Sequence, residues 1–140
     1  MREFEEGVSH WQRTGFETWQ TWYGALLAEA MIKAGRPQEA LVEVDRQLAR
    51  ILENDEHLFE SLLLAARAGA IAELLPTATD AIGGLYGQAL DLALCQKARS
   101  WELTIRRKYA DWLVAQGRAN EGTDQLASIV EGPTRQRPLA

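Results

Sequence analysis

Proline is almost absent from the interior of this chain, and this constrains its fold more than any other feature. Only 4 prolines occur in 140 residues, and two of them, Pro133 and Pro138, lie in the last eight positions. The long stretches between prolines are rich in Ala, Leu, Glu, Gln and Arg, whose side chains lose little rotamer freedom in a helix. No five-residue run alternates apolar and polar residues with β-branched enrichment, and no Asn-Gly or Asp-Gly turn occurs. We therefore predict an all-α fold.

Apolar residues recur at spacings of three and four, and short breaks interrupt the pattern. Gly35 and Gly117 suit the left-handed conformation that follows a helix end, and Pro37 suits a first helical turn. The pattern predicts a single domain over residues 1–131 and a flexible tail at 132–140. About seven helices are predicted, at residues 2–13, 17–34, 37–53, 57–75, 82–98, 100–116 and 119–130.

Composition and charge favour a globular protein and exclude several partners. Hydrophobic residues make up 46% of the chain and charged residues 25%. The net charge of −5 argues against binding to a nucleic-acid backbone. No apolar stretch approaches the roughly 18 residues of a membrane span, and the charged start MREFEEGVSH lacks the apolar core of a signal peptide. We expect a cytoplasmic protein that binds neither nucleic acid nor membrane.

Sequence motifs for catalysis or cofactor binding are missing. Neither GxxxxGK[ST] nor GxGxxG occurs, so a phosphate-binding loop is not indicated. His10 and His57 have no second metal ligand at a recognisable spacing. The single cysteine, Cys95, lies in an apolar-rich helix and is interpreted as a small core residue. We predict no enzymatic activity, no catalytic residues, no cofactor and no metal.

Two segments of the chain, residues 27–48 and 109–130, are similar at an offset of 82 residues. Half of this offset is 41, which leaves room for one further helical pair at residues 57–98. Small residues recur in both segments, and we expect them to let the two helices of a pair approach closely. The matching positions are Ala28 with Ala110, Gly35-Arg36 with Gly117-Arg118, Glu39 with Glu121, and Ala40 with Gly122. Such a periodic pattern is typical of stacked helical repeats.

The segment LLAEAMIKAGRPQEALVEVDRQL resembles a tetratricopeptide (TPR) repeat, a helical hairpin of about 34 residues. Two longer segments, GVSHWQRTGFETWQTWYGALLAEAMIKAGRPQEALVEVDRQL and YGQALDLALCQKARSWELTIRRKYADWLVAQGRANEG, resemble the TPR-like C-terminal region of bacterial regulators. Those regulators couple an AAA-type ATPase module, often with an adenylate cyclase or transcription-regulator domain, to helical repeats. The resemblance covers more than half of the chain and implies antiparallel hairpins stacked as a right-handed superhelix. It does not extend to the tail GPTRQRPLA, where the family continues with an aromatic, acidic segment.

In TPR-like stacks the first helix of each hairpin lines a concave face that holds a peptide. The resemblance places the following residues of the first and last hairpins on that face: Trp22, Ala25, Glu29, Ile32, Lys33, Thr104, Arg107, Asp111, Val114 and Ala115. The candidate partner groove is formed by Trp22, Glu29, Lys33, Arg107 and Asp111. Lys33 and Arg107 are suited to bind carboxylates, and Trp22 is suited to pack against an apolar side chain. The resemblance thus implies a non-catalytic protein-interaction module that is part of, or derived from, a larger signalling or transcription regulator.

Several alternatives stay open at this point. The helical groove is also compatible with a sensor domain that binds a small effector and regulates a linked ATPase or cyclase, which would require a closed apolar pocket. The tryptophans are interpreted either as wedges between hairpins or as ligand contacts: Trp11, Trp19, Trp22, Trp101 and Trp112. The basic cluster is either a solvated helix face or a site for an acidic partner segment: Arg99, Arg106, Arg107 and Lys108.

The first predicted helix carries an apolar stripe with no partner helix before it in this sequence. The stripe consists of Phe4, Val8 and Trp11 at spacings of four and three. A solenoid normally ends in a helix with a polar outer face. We therefore predict either a preceding segment or a homodimer formed through the terminal helices.

Overall fold

A computed structural model of the chain describes the backbone of residues 17–135 and the side chains of residues 20–128. Every regular element in that range is a helix, which confirms the all-α class for the described part. The predicted helix at 2–13 lies outside the described residues, so six helices are present where about seven were expected. They are α1 (Glu17–Lys33), α2 (Pro37–Asn54), α3 (Glu60–Leu74), α4 (Thr79–Cys95), α5 (Arg99–Ala115) and α6 (Ala119–Arg135).

The six helices form three hairpins, α1–α2, α3–α4 and α5–α6, and each helix packs against the next. The first helices of the hairpins end at Lys33, Leu74 and Ala115, which are 41 residues apart in each case. The helical pair predicted between the two similar segments is therefore present, and it keeps the same period. In addition, α1 contacts α3 and α3 contacts α5. The three odd-numbered helices thus form one continuous layer.

Left-handed residues end four of the helices. Gly35 and Gly117 have φ values of +77° and +78°. The N–H group of the following residue donates to a carbonyl five residues earlier, at 2.8 Å and 2.9 Å, which is the Schellman arrangement. Asp55 (φ +52°) and Lys97 (φ +56°) adopt the same conformation between hairpins. In the middle hairpin, Pro76 stands where the 41-residue period would place a glycine.

Buried side chains form two clusters that share α3. This explains why α3 is apolar around most of its circumference, because neighbours cover it on two sides. The first cluster joins α1, α2 and α3: Ala25, Ala28, Ala40, Val44, Ile51, Leu63, Ala66 and Ala70. The second joins α3, α4 and α5: Leu64, Ala65, Ala68, Ile82, Tyr86, Ala89, Leu90, Ala93, Ile105, Trp112 and Leu113.

The small residues of the repeat lie at close helix contacts, as their spacing predicted. Ala28 and Ala40 are both fully buried in the first hairpin, and Ala110 is 1% exposed in the last. A Cβ atom built on Gly122 would lie 3.0 Å from the carbonyl oxygen of Ala110. The backbones of α5 and α6 therefore approach too closely for a larger residue at this position.

Two expectations about the second half of the chain were wrong. Helix α6 continues to Arg135, so residues 132–135 are helical and do not belong to a tail. The residue before Pro133 is Gly132, which has no Cβ, and this relieves part of the clash that the proline ring makes with the preceding residue. Cys95 is exposed and not part of the core, because the buried stripe of α4 runs through Ala89 and Ala93 and residue 95 projects from another side of the helix.

Candidate partner-binding face

Helices α1, α3 and α5 share one surface, which we call the odd-helix face. At its N-terminal end three aromatic side chains form a row. The ring centroids of Trp22 and Phe59 are 6.5 Å apart, and those of Phe59 and Trp101 are 5.0 Å apart. Phe59 directly precedes α3, so the row joins the N-terminal ends of all three helices. Contacts of this kind between tilted rings favour a fixed arrangement of the helix ends.

An ion pair crosses the face two helical turns further on. The Lys108 ammonium of α5 contacts the Glu29 carboxylate of α1, although α3 lies between the two helices. The side chains of Lys108 and Glu29 are 31% and 26% exposed, so the pair is partly shielded from water.

The hydroxyl group of Tyr86, a residue of α4, lies next to Gly69 of α3. A Cβ atom built on Gly69 of α3 would lie 4.0 Å from the Tyr86 hydroxyl and 3.5 Å from Cδ1 of Ile32. Burial raises the pKa of Tyr86, and the negative charges of Glu29 and Asp111 raise it further. The hydroxyl group is therefore neutral at physiological pH.

Behind this hydroxyl, an aromatic stack fills the space between the second and third hairpins. The rings of Tyr86 and Tyr109 are stacked at 5.3 Å, and Trp112 lies 6.2 Å from Tyr109. A Cβ atom built on Gly83 would lie 3.7 Å from the Trp112 ring. The Arg118 guanidinium lies 5.9 Å from the centroid of the same ring, within the range of a cation–π contact. With 8% of its surface exposed, Trp112 acts as a wedge between hairpins.

The structure brings only part of the predicted groove together. The negative charges of Glu29 and Asp111 both act on Tyr86, and Trp22 belongs to the aromatic row. Lys33 and Arg107 are exposed, and neither has an ion-pair partner among the described residues. The cation that reaches Glu29 is Lys108, which the sequence analysis left out of the groove. A signal for it exists, since Lys108 follows Trp101 by seven residues as Glu29 follows Trp22.

Two residues assigned to the face from the TPR resemblance are wholly or partly buried. Ala25 is 3% exposed, and Ile32 packs over Gly69. Helix α1 is rotated so that its solvent side instead presents Tyr23 and Leu26, which are 65% and 47% exposed. Such a rotation depends on packing against α2 and α3, which the helical pattern of α1 alone does not encode.

The basic cluster of α5 is largely neutralised within the protein. Arg99 and Arg106 donate to the Glu102 carboxylate at 2.9 Å and 2.8 Å, and Lys108 is engaged by Glu29. Burial acts to raise the pKa of Glu102, but the bonds from the two arginines outweigh it and the pKa is lowered. Arg107 alone of the four cations has no ion-pair partner in the described part of the chain. The cluster is therefore not a continuous basic patch.

The first hairpin carries an open depression of about 460 Å³ where α1 ends and α2 begins. Charged and polar side chains form most of its lining: Met31, Arg36, Gln38, Glu39, Val42, Glu43 and Arg46. Over residues 17–135, no group of three or more His, Cys, Asp or Glu side chains is placed to hold a metal ion. Within the same range, no helix combines the length and the apolar character needed to cross a membrane.

No protein-family model, curated protein or solved structure matches this chain. The TPR resemblance therefore stays a prediction.

Proposed function

We propose that this chain is a non-catalytic interaction module whose odd-helix face holds a segment of a partner protein. The observation that carries the proposal is the group of large apolar side chains that α1 exposes beside the aromatic row. Trp22, Tyr23 and Leu26 are adjacent on the helix and are 36%, 65% and 47% exposed. Contiguous exposed apolar residues mark interaction sites on soluble proteins, and Trp and Tyr are enriched among the residues that dominate binding energy.

The charges on the face suggest how such a segment is oriented. The Glu29–Lys108 pair separates the aromatic half of the face from a polar half that contains the exposed Asp111. An apolar side chain of the partner would pack on the aromatic half, where water is readily displaced. A carboxylate of the partner would bind Arg107, which has no internal ion-pair partner among the described residues.

The three hairpins with a 41-residue period support a solenoid architecture for this module. We further propose, on the sequence resemblance alone, that the solenoid is a TPR-like right-handed superhelix that serves a larger signalling or transcription regulator. A sensor that encloses a small effector is less well supported, because the depression on the first hairpin is open and not a closed pocket.

The test compares the wild-type protein with one variant of the face and one control variant. The double variant Tyr23→Ser/Leu26→Ser removes exposed apolar groups from α1, and the control Leu52→Ser removes one from α2, where Leu52 is 78% exposed. Each tagged protein is cross-linked in the cells that express it, and co-purified proteins are quantified by mass spectrometry.

We expect at least one protein to be enriched equally with the wild type and the control, and to fall about tenfold with the double variant, because removing two central apolar contacts costs about 1–2 kcal/mol or more. Circular dichroism of all three proteins checks that helix content is unchanged. Equal recovery with all three proteins would contradict the proposed face.

A further inference from the structure

The turn between α2 and α3 contains a histidine with a carboxylate on each side of its ring. The Nδ1 atom of His57 lies 3.1 Å from Oε1 of Glu60, and the Nε2 atom lies 2.8 Å from Oδ1 of Asp55. A neutral imidazole carries one N–H group and can donate to one of these oxygens only. A protonated ring carries two N–H groups and donates to both. The geometry therefore matches the charged form of the side chain.

The charged groups that act on this ring both belong to the same turn. The hydrogen bond with Glu60, followed by that with Asp55, raises the pKa of His57 above its usual value of 6.5, and partial burial opposes them. From the turn between α4 and α5, the neutral amide of Gln96 donates to the backbone carbonyl of His57 at 3.0 Å. The ring itself remains 40% exposed, so protons exchange freely with solvent.

The position of this ring connects it to the odd-helix face. Asp55 ends α2 in the left-handed conformation, and Glu60 is the first residue of α3. A ring that binds both carboxylates therefore fixes the link from one helix to the next. Phe59, the middle residue of the aromatic row, lies within this link.

We propose that His57 is a pH-dependent clamp that holds the α2–α3 turn, and Phe59 with it, when its ring is protonated. When the ring loses its proton, one of the two carboxylates loses its donor and the turn is held at one side only. A group whose pKa is raised on folding contributes stability that is fully present below pH 6.5 and is lost as the pH rises through the folded-state value. The clamp is thus expected to weaken as the pH rises through the pKa of His57, which lies above 6.5.

The first test is an NMR titration of the histidine rings between pH 5 and 9. In the wild-type protein we expect the His57 midpoint to lie above 6.5, and in Asp55→Asn and Glu60→Gln we expect it to move down in both cases. The signal of the second histidine is assigned from the variant His10→Gln. A His57 midpoint at or below 6.5, or one that neither carboxylate variant lowers, would overturn the proposal.

The second test separates a clamp from a passive pH effect. Side-chain resonances of Phe59 are followed in the same titration, and urea unfolding is measured at pH 5.5 and 8.5 for the wild type and for His57→Gln. The Phe59 resonances should shift with the His57 midpoint, and the stability advantage of the wild type over the variant should shrink at pH 8.5. The clamp would be refuted if the Phe59 resonances did not shift with the His57 midpoint. It would also be refuted if the wild type were more stable than His57→Gln by the same amount at both pH values.

Discussion

At the scale of single residues, Gly122 shows where the packing leaves no space. A Cβ atom there would lie 2.9 Å from Cγ2 of Val114 and 3.0 Å from the carbonyl oxygen of Ala110. The oxygen belongs to the backbone of α5 and cannot rotate away. We expect Gly122→Ala to lower the free energy of unfolding by about 1–3 kcal/mol, because overpacking forces the two helices apart. Urea unfolding followed by circular dichroism measures this change.

Gly84 provides the matched control for this substitution. It also lies inside a helix, but no atom comes within 4 Å of a Cβ built on it. Alanine is a better helix former than glycine, so we expect Gly84→Ala to raise the stability by about 0.5–1 kcal/mol. The two substitutions should therefore have opposite signs. A neutral or stabilising Gly122→Ala would contradict the close approach of α5 and α6.

At the scale of the elements, the helix-ending glycines make a separate prediction. Gly117 has a φ of +78° with no neighbouring atom near its Cβ position, so only backbone conformation opposes a side chain. We expect Gly117→Ala to lower the free energy of unfolding by about 1 kcal/mol, since alanine is disfavoured in the left-handed region. Thermal unfolding measures the change, and Gly35→Ala, at the equivalent turn, should behave alike. A gain in stability from both substitutions would contradict the left-handed conformation of Gly35 and Gly117.

The order of the elements could be predicted from the sequence because helix ends are encoded locally. Glycine and proline act on their own residue and its neighbours, so Gly35, Pro37 and Gly117 marked the hairpin turns correctly. The start of α4 was less clear, and the helix begins at Thr79 instead of 82. No glycine ends α3 in the middle hairpin, so the sequence signal that marked the turn in the other two hairpins is missing there.

The composition of the odd-helix face could be predicted only in part, because it depends on how each helix is rotated. Consecutive residues on a helix differ by about 100° in direction, so the rotation of the helix decides which of two neighbours faces the adjoining helix. This is why Lys108 and not Arg107 contacts Glu29, and why Leu26 is exposed where Ala25 is buried. Rotation is set by packing between helices, which a single helical pattern does not contain.

At the scale of the whole molecule, α3 is the central element. It contacts α1, α2, α4 and α5, and Ala65, Ala66, Ala68 and Ala70 are at most 1% exposed. Stability in stacked repeats is transmitted between neighbours, so a helix covered on both sides opens last. We expect the amides of α3 to exchange with solvent most slowly and those of α6 to exchange much faster.

Hydrogen exchange followed by mass spectrometry or NMR tests this order. The comparison with α6 is informative because the two helices are similar in length, while in the described structure the packing of α6 is mainly on α5. Equal exchange rates in α3 and α6 would mean that the described chain unfolds as a single cooperative unit without a central helix.

The ion pair across the odd-helix face also has a consequence for folding during translation. Glu29 and Lys108 are 79 positions apart in the chain, and a ribosome adds about 5–20 residues per second, so about 4–16 s separate their synthesis. The first hairpin can form while α5 does not yet exist. The odd-helix face is therefore completed only after α5 has been synthesised, and until then the nascent chain displays Glu29 without its lysine.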